Sequence, residues 1–215
     1  MKIKIRIGKV KIFAALKEMA REILYPTKER AMPDRDVKTI RDLIWYQYAK
    51  IIAKSAMGED AKKSAYGFVK QTFRDLKTDK KTWSDILRED KQFAQSEKEC
   101  IYCGSEENLQ WEHIVPKTIK INERCPDCSR VQEIHNQVWA CRECNGAKKQ
   151  KGLYAFWAER HPGDKKFYDR IPPLLEKKYL KTIYYCHECN GSLDATGPGG
   201  VQPTVFDLDK CIVLE

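Results

Sequence analysis

The placement of the cysteines constrains the fold of this chain more than any other feature. Eight of its nine cysteines form four Cys-x-x-Cys pairs, and Cys211 is left over. Two thiolates three positions apart can bind one tetrahedral zinc ion from a tight turn, so two pairs complete a four-sulfur site. The sequence therefore predicts two structural zinc sites, with three possible pairings among Cys100/Cys103, Cys125/Cys128, Cys141/Cys144 and Cys186/Cys189.

Disulfide bonds and redox chemistry are the competing interpretations of these pairs. The first residues, MKIKIRIGKV, lack an apolar stretch followed by a small-residue cleavage site, which predicts a cytoplasmic protein. A reducing cytoplasm disfavours structural disulfides. No strand–helix pattern of the thioredoxin kind precedes any pair, although a redox or thiol-transfer protein stays an alternative. No apolar run reaches the roughly 18 residues that a membrane span needs.

The positive charge is concentrated in the first part of the chain. The whole protein carries a formal charge of +9. Residues 1–95 hold 23 basic and 13 acidic side chains, whereas residues 96–215 hold 17 and 18. A polyanion is a natural partner for such a surface. A solvated, lysine-rich helical surface is the alternative explanation of the same charge.

Residues 1–95 have the pattern of a small helical bundle with a basic exterior. Residues 3–7 alternate as in a short strand, and residues 12–23 repeat apolar side chains at helical spacing. Further helices are predicted over 36–56, over 59–76 and after an N-cap at Ser84. The stripes predicted to face the core comprise Val37, Ile40, Ile44, Tyr48 and Ile51, then Ala65, Phe68, Val69, Thr72, Phe73 and Leu76, then Ile86, Leu87, Asp90 and Phe93.

Residues 96–215 differ in character. Short strand-like runs surround Trp111 and Trp139, and a helix is predicted over 142–160. The last cysteine pair is expected to form a tight turn, with its His187 facing solvent or replacing a cysteine as a ligand. A further strand-like run covers 204–208.

Three polar positions have the chemistry that phosphodiester hydrolysis requires, and a fourth lies at the start of the neighbouring strand-like run. His113, at the end of the first strand-like run, has an imidazole suited to deprotonate water. Glu112 and Asn145 offer oxygen ligands to a hard divalent cation. Asn136 opens the second strand-like run. Because neighbours on a flat strand point to opposite faces, a bend is needed to bring both Glu112 and His113 to one phosphate.

Taken together, these motifs resemble an HNH nuclease of the ββα-metal fold in its zinc-stapled form. The motifs are Cys-Ile-Tyr-Cys-Gly, Trp-Glu-His-Ile-Val-Pro, His-Asn-Gln-Val-Trp-Ala and Cys-Arg-Glu-Cys-Asn-Gly. The resemblance covers about 50 of the 215 residues. It implies an α+β chain, in which a basic helical region (1–95) precedes a zinc-stabilised nuclease domain (96–215).

The resemblance also implies a role for each matching residue. His113 is the general base, and Asn136 steadies the hairpin loop and hence the base. Glu112, where many members have Asp, and Asn145 hold one catalytic Mg²⁺ or Mn²⁺. The family's knuckle cysteines correspond to Cys100, Cys103, Cys141 and Cys144 as one structural zinc site, which leaves Cys125, Cys128, Cys186 and Cys189 for a second.

The predicted function is a metal-dependent DNA endonuclease that leaves 5′-phosphate and 3′-hydroxyl ends. Duplex DNA is the expected substrate, contacted by Lys148, Lys149 and Lys151 after the metal-binding asparagine. A homodimer is expected if both strands are cut. The alternative is a non-catalytic zinc-binding nucleic-acid adaptor that retains the HNH fold.

Overall fold

The computed structural model of this 215-residue chain describes residues 34–58, 64–84, 87–117, 129–164 and 166–209. Several predictions lie outside these residues: the strand at 3–7, the helix at 12–23, the side chain of Ile86, and the cysteines Cys125, Cys128 and Cys211.

The described residues form seven α-helices and one sheet of two antiparallel strands, which is an α+β architecture. Four short 3₁₀ turns cover Ile134–Asn136, Phe167–Arg170, Pro198–Gly200 and Val205–Asp207. The strands are β1 (Leu109–His113) and β2 (Gln137–Cys141), and the helices are α1 (Ile40–Met57), α2 (Ser64–Lys77), α3 (Arg88–Gln95), α4 (Ser129–Gln132), α5 (Arg142–Lys148), α6 (Leu153–Arg160) and α7 (Pro173–Asn190).

Helix α1 confirms the predicted apolar stripe. Its N-cap is Thr39, whose Oγ1 accepts a hydrogen bond from the backbone N–H of Asp42 at 3.2 Å. It ends at Gly58, which has a φ of 74° that an L side chain rarely adopts. All five residues predicted to face the core are buried, namely Val37, Ile40, Ile44, Tyr48 and Ile51.

The next two helices differ in detail from the prediction. Phe68 of α2 was expected to face the core, but 37% of it is exposed, whereas Phe73 and Leu76 are buried. Helix α3 begins at Arg88 rather than after Ser84, because the carboxylate of Asp90 accepts a hydrogen bond from the Leu87 N–H at 2.7 Å. A carboxylate three residues into a helix satisfies an N–H that has no partner within the helix.

The single helix predicted over 142–160 is wrong, since the chain forms α5 and α6 with a break between them. Lys149 ends α5 with a φ of 50°, which no helix interior tolerates. Gly152 precedes α6, and a Cβ there would lie 1.4 Å from Oδ2 of Asp209. The carboxylate of Asp209 thus occupies the space of a side chain at position 152, and any larger residue there would displace it.

Helix α7 was not predicted, and the strand-like run at 204–208 forms a 3₁₀ turn instead. Cys186 and Cys189 lie in the last turns of α7 rather than in a tight turn of their own. Helix α7 packs against α1, and the ring centroids of Trp45 and Tyr184 are 5.0 Å apart. One hydrophobic core thus includes residues from both sides of position 95.

Among the described residues, none of the helices combines the length and apolar character required to cross a membrane.

Candidate functional site

The site is built on the hairpin of β1 and β2, whose register pairs His113 with Gln137 and Trp111 with Trp139. Side chains alternate between the two faces of a strand. His113 and Trp111 therefore share one face of β1, and Glu112 lies on the other. Glu112 is buried, whereas half of Trp111 is exposed.

Four cysteine thiols converge beside this hairpin. The sulfur atoms of Cys100, Cys103, Cys141 and Cys144 all lie within 4.8 Å of one another, a group that could hold a metal ion such as zinc. The sulfurs of Cys103 and Cys141 are 3.8 Å apart. A tetrahedral zinc ion with Zn–S bonds of about 2.3 Å places its ligands about 3.8 Å from one another. The first and third pairs therefore come together, as the resemblance implied.

Donors around the four thiols suit thiolate ligands. The backbone N–H of Cys144 points at the sulfur of Cys141 at 3.4 Å, and the guanidinium of Arg160 donates to the sulfur of Cys144 at 3.2 Å. Such N–H···S bonds stabilise metal-bound thiolates. In the absence of an ion, burial raises the pKa of the Cys144 thiol to about 12. A bound cation would supply the charge that keeps this sulfur deprotonated.

The second predicted zinc site involves Cys186 and Cys189 of α7. Cys186 is buried and Cys189 is exposed, and the expected partners Cys125 and Cys128 lie outside the described residues. His187 contradicts its prediction, because it is fully buried. Its Nε2 donates to the carbonyl of Leu208 at 2.9 Å, and its Nδ1 lies 2.8 Å from Oγ of Ser192. His187 thereby ties the segment around Leu208 to α7.

His113 is half-buried at the end of β1. Its Nε2 lies 3.3 Å from the side-chain nitrogen of Gln137. Burial lowers the pKa of the imidazole below its usual value, and the positive charges of Lys117 and Lys148 add to the effect. These surroundings favour a neutral ring, which is the form that accepts a proton.

Asn136 is fully buried in the turn that leads into β2. Its Oδ1 accepts from the N–H of Val115 at 2.8 Å, and its Nδ2 donates to the carbonyls of Val115 and Val131 at 2.9 and 2.8 Å. The backbone of Ile114 also donates to the carbonyl of Asn136 at 2.9 Å. One side chain thereby fixes the segment that directly follows His113.

Glu112 forms a buried ion pair, with its Oε1 2.8 Å from Nζ of Lys148. The ammonium also donates to the carbonyl of His113 at 3.2 Å. Burial raises the pKa of Glu112 and lowers the pKa of Lys148, and their mutual attraction opposes both shifts. The buried hydroxyl of Tyr102 lies next to the same carboxylate, and its interaction with Glu112 also opposes the rise in the pKa of that carboxyl.

The three lysines that were predicted to contact nucleic acid occupy different environments. Lys148 is fully buried against Glu112 and is not available at the surface, contrary to the prediction. Lys149 is exposed, although it lies beyond the helix and does not share a helical face with Asn145. Lys151 forms an ion pair with Glu159.

Asn145 is half-buried on α5, one residue after Cys144. The described residues contain no group of three or more His, Cys, Asp or Glu side chains with metal-ligand spacing other than the four cysteines. Glu112 lies on the face of β1 opposite His113, and its carboxylate interacts with the ammonium of Lys148 and the hydroxyl of Tyr102. Because Lys148 holds Oε1, this carboxylate could offer a cation only its second oxygen.

The sequence analysis missed two features of the site. Trp111 and Trp139 stack with ring centroids 4.0 Å apart and planes at 24°. Each tryptophan is the central residue of its strand-like run. If the two runs are assumed to pair as a hairpin, this position predicts that the tryptophans lie opposite each other. The Glu112–Lys148 pair left no signal, because lysine is rarely fully buried.

Comparisons of this chain with models of known protein families, with curated proteins and with solved structures found no match.

Proposed function

We propose that the hairpin and α5 form a zinc-clamped nuclease site of the HNH type that hydrolyses phosphodiester bonds in DNA. The observation that carries the proposal is the joint placement of His113, Asn136 and the four thiols on one hairpin. The thiols bring the end of β2 and the first turn of α5 to the loop before β1, and the buried Asn136 holds the segment after His113.

His113 would act as the general base. Its imidazole is only half-buried, and its neighbours disfavour the protonated ring. A neutral imidazole can take a proton from water as that water attacks phosphorus, and general bases of this kind accelerate hydrolysis by about 10²- to 10⁴-fold. The side-chain amide of Gln137 lies 3.3 Å from Nε2 of the ring; with its oxygen turned to accept from Nε2–H, it would orient the ring and leave Nδ1 free to take the proton.

A divalent cation would complete the site. Asn145 offers a neutral oxygen on the adjacent helix and would hold Mg²⁺ or Mn²⁺, whereas Glu112 lies on the face of β1 opposite His113 and pairs with Lys148, so it would reach the same cation only if that pair opens. The cation would supply charge that offsets the negative charge developing on the phosphate. The ammonium of Lys148, 2.8 Å from Oε1 of Glu112, would compete with a cation for this carboxylate.

One assay tests this proposal. Wild-type protein is incubated with supercoiled plasmid, linear duplex and single-stranded DNA in Mg²⁺ or Mn²⁺. We expect metal-dependent cleavage that leaves 5′-phosphate ends and is lost in His113→Ala. His161→Ala is the matched control, because His161 lies beyond the end of α6, outside the hairpin. Cleavage that persists in His113→Ala would contradict the role of His113.

The buried ion pair favours a second candidate function, a non-catalytic zinc-binding nucleic-acid adaptor. A carboxylate that is 3% exposed and paired with a buried lysine also suits a purely structural role. The adaptor predicts that wild type and His113→Ala bind DNA equally and that neither cuts it. The nuclease predicts cleavage by wild type alone, so the same two proteins separate the functions.

A further inference from the structure

The outer face of the hairpin exposes an aromatic pair. Trp111 of β1 lies directly opposite Trp139 of β2, with ring centroids 4.0 Å apart. Half of Trp111 is exposed to solvent. A tryptophan pair in the core would stabilise the fold by burying its apolar surface. A pair that instead remains exposed is typical of a binding surface.

This aromatic pair lies on the same face of the hairpin as His113. Trp111 and His113 are two residues apart on β1, and so are Trp139 and Gln137 on β2. Residues two apart on a strand share a face and are separated by roughly 7 Å. A group stacked on Trp111 therefore lies one nucleotide unit or less from the imidazole.

A positive charge accompanies the pair. Nζ of Lys98 lies 4.9 Å from the centre of the Trp139 ring. Aromatic rings bordered by cations are the surfaces on which proteins stack the bases of single-stranded nucleic acids, while the cation contacts the backbone.

We propose that Trp111, with Trp139 behind it, is a stacking platform for an unpaired nucleobase. This inference rests on the proposed nuclease function and narrows its substrate to single-stranded DNA or the unpaired part of a branched DNA. A base stacked on Trp111 brings a neighbouring phosphodiester to His113. The bases of a continuous duplex are stacked on one another and offer no free face to this platform, so duplex DNA is not the preferred substrate.

Binding of labelled oligonucleotides to the His113→Ala protein tests the platform without cleavage. In this background, Trp111→Ala is expected to weaken single-strand binding by about tenfold, because stacking on one aromatic side chain contributes about 1–3 kcal/mol per base. Trp111→Phe keeps an aromatic ring and is expected to retain most of the affinity. Tyr66→Ala is the control, since it removes an aromatic side chain that is 57% exposed on α2.

The outcomes for the platform and for the nuclease are separate. A single-strand preference that falls in Trp111→Ala, while Trp111→Phe and Tyr66→Ala keep it, supports the platform even if wild type cuts no DNA. Equal binding of single strands and duplex by the His113→Ala protein, or the same affinity in Trp111→Ala, overturns it. A wild type that fails to cut any DNA overturns the nuclease instead. Equal zinc content and melting temperature in all variants show that the differences arise at the surface.

Discussion

Helices α1 and α7 bury long apolar stripes against each other, whereas the hairpin β1–β2 buries little on its outer face and lies beside four thiols. The first region is ordered by its core: Ile44, Tyr48 and Ile183 are fully buried. In the second region, one face exposes Trp111 and the connection is made by cysteines. Side-chain burial stabilises the helical region, and we infer that metal binding stabilises the hairpin.

The comparison predicts that loss of the metal has the largest effect, and that the effect is local. Cys144→Ser removes one of four sulfur ligands, and structural zinc sites contribute about 10 kcal/mol or more to the folding of small metal-binding units. We expect the near-ultraviolet circular dichroism of the Trp111–Trp139 pair to disappear. The far-ultraviolet signal of α1 and α7 should largely persist, because their contacts do not involve the metal.

Cys211→Ser is the control for this substitution, since Cys211 belongs to none of the four pairs. It should keep both signals. Simultaneous loss of both signals in Cys144→Ser would contradict the division into two differently ordered regions.

A cavity created in α1 is expected to lower the stability of the helical region and to leave the metal site intact. Ile44→Ala empties a fully buried position, which costs about 4 kcal/mol in unfolding free energy. Denaturant unfolding should report the loss, whereas zinc content measured under native conditions should stay unchanged. Loss of zinc in this variant would show that the helical core also holds the hairpin in place.

Asn136→Ala is expected to destabilise the hairpin by a smaller amount. The substitution leaves an N–H and a carbonyl of Val115 and a carbonyl of Val131 without their side-chain partner, at a cost of about 3 kcal/mol. Hydrogen exchange should accelerate around Val115 and remain slow in α1. Asn190→Ala removes one part-buried hydrogen bond and should have little effect. Equal exchange in wild type and Asn136→Ala would exclude the proposed clamp.

The smallest predicted effect concerns Glu176, which lines a small cavity between α1 and α7. Burial raises the pKa of its carboxyl to about 7, although a hydrogen bond from Tyr154 and the charges of Lys50 and Lys54 oppose the shift. Because the folded state holds this proton more tightly, the contribution to stability is full below pH 4.5 and is lost as pH rises to about 7.

Glu176→Gln should remove that part of the pH dependence. The side chain retains some exposure, so we expect a difference of about 1 kcal/mol between pH 4.5 and pH 7.5. Thermal unfolding at several pH values measures it, with the surface variant Glu159→Gln as the control. A parallel pH dependence in wild type and Glu176→Gln would exclude the shifted carboxyl.

The difference between the helical region and the hairpin also explains which features could be predicted from the sequence. Apolar spacing located α1, and the Cys-x-x-Cys pattern located the four thiols, because both signals depend on near neighbours in the chain. Helix α7 was missed although Leu175, Tyr179 and Ile183 recur at helical spacing and are fully buried. The Cys-x-x-Cys pair at its end is typical of a tight turn in a metal site, which is the contrary local signal.

Other features depend on contacts between distant residues. The burial of Lys148 follows from Glu112, which lies 36 positions earlier in the chain. The break between α5 and α6 lies at Lys149, whose φ is 50°, and Asp209 packs against Gly152 just beyond it. Neither contact leaves a local pattern, so single-sequence reasoning predicted a continuous helix with its lysines exposed.

X-ray absorption at the zinc edge tests the four-cysteine clamp most directly, and the nuclease site and the aromatic platform both depend on that clamp. The protein as purified should contain zinc surrounded by four sulfur atoms at about 2.3 Å, and zinc content should fall in Cys144→Ser but not in Cys211→Ser. A protein without zinc, or zinc bound mainly through nitrogen and oxygen, would contradict the account.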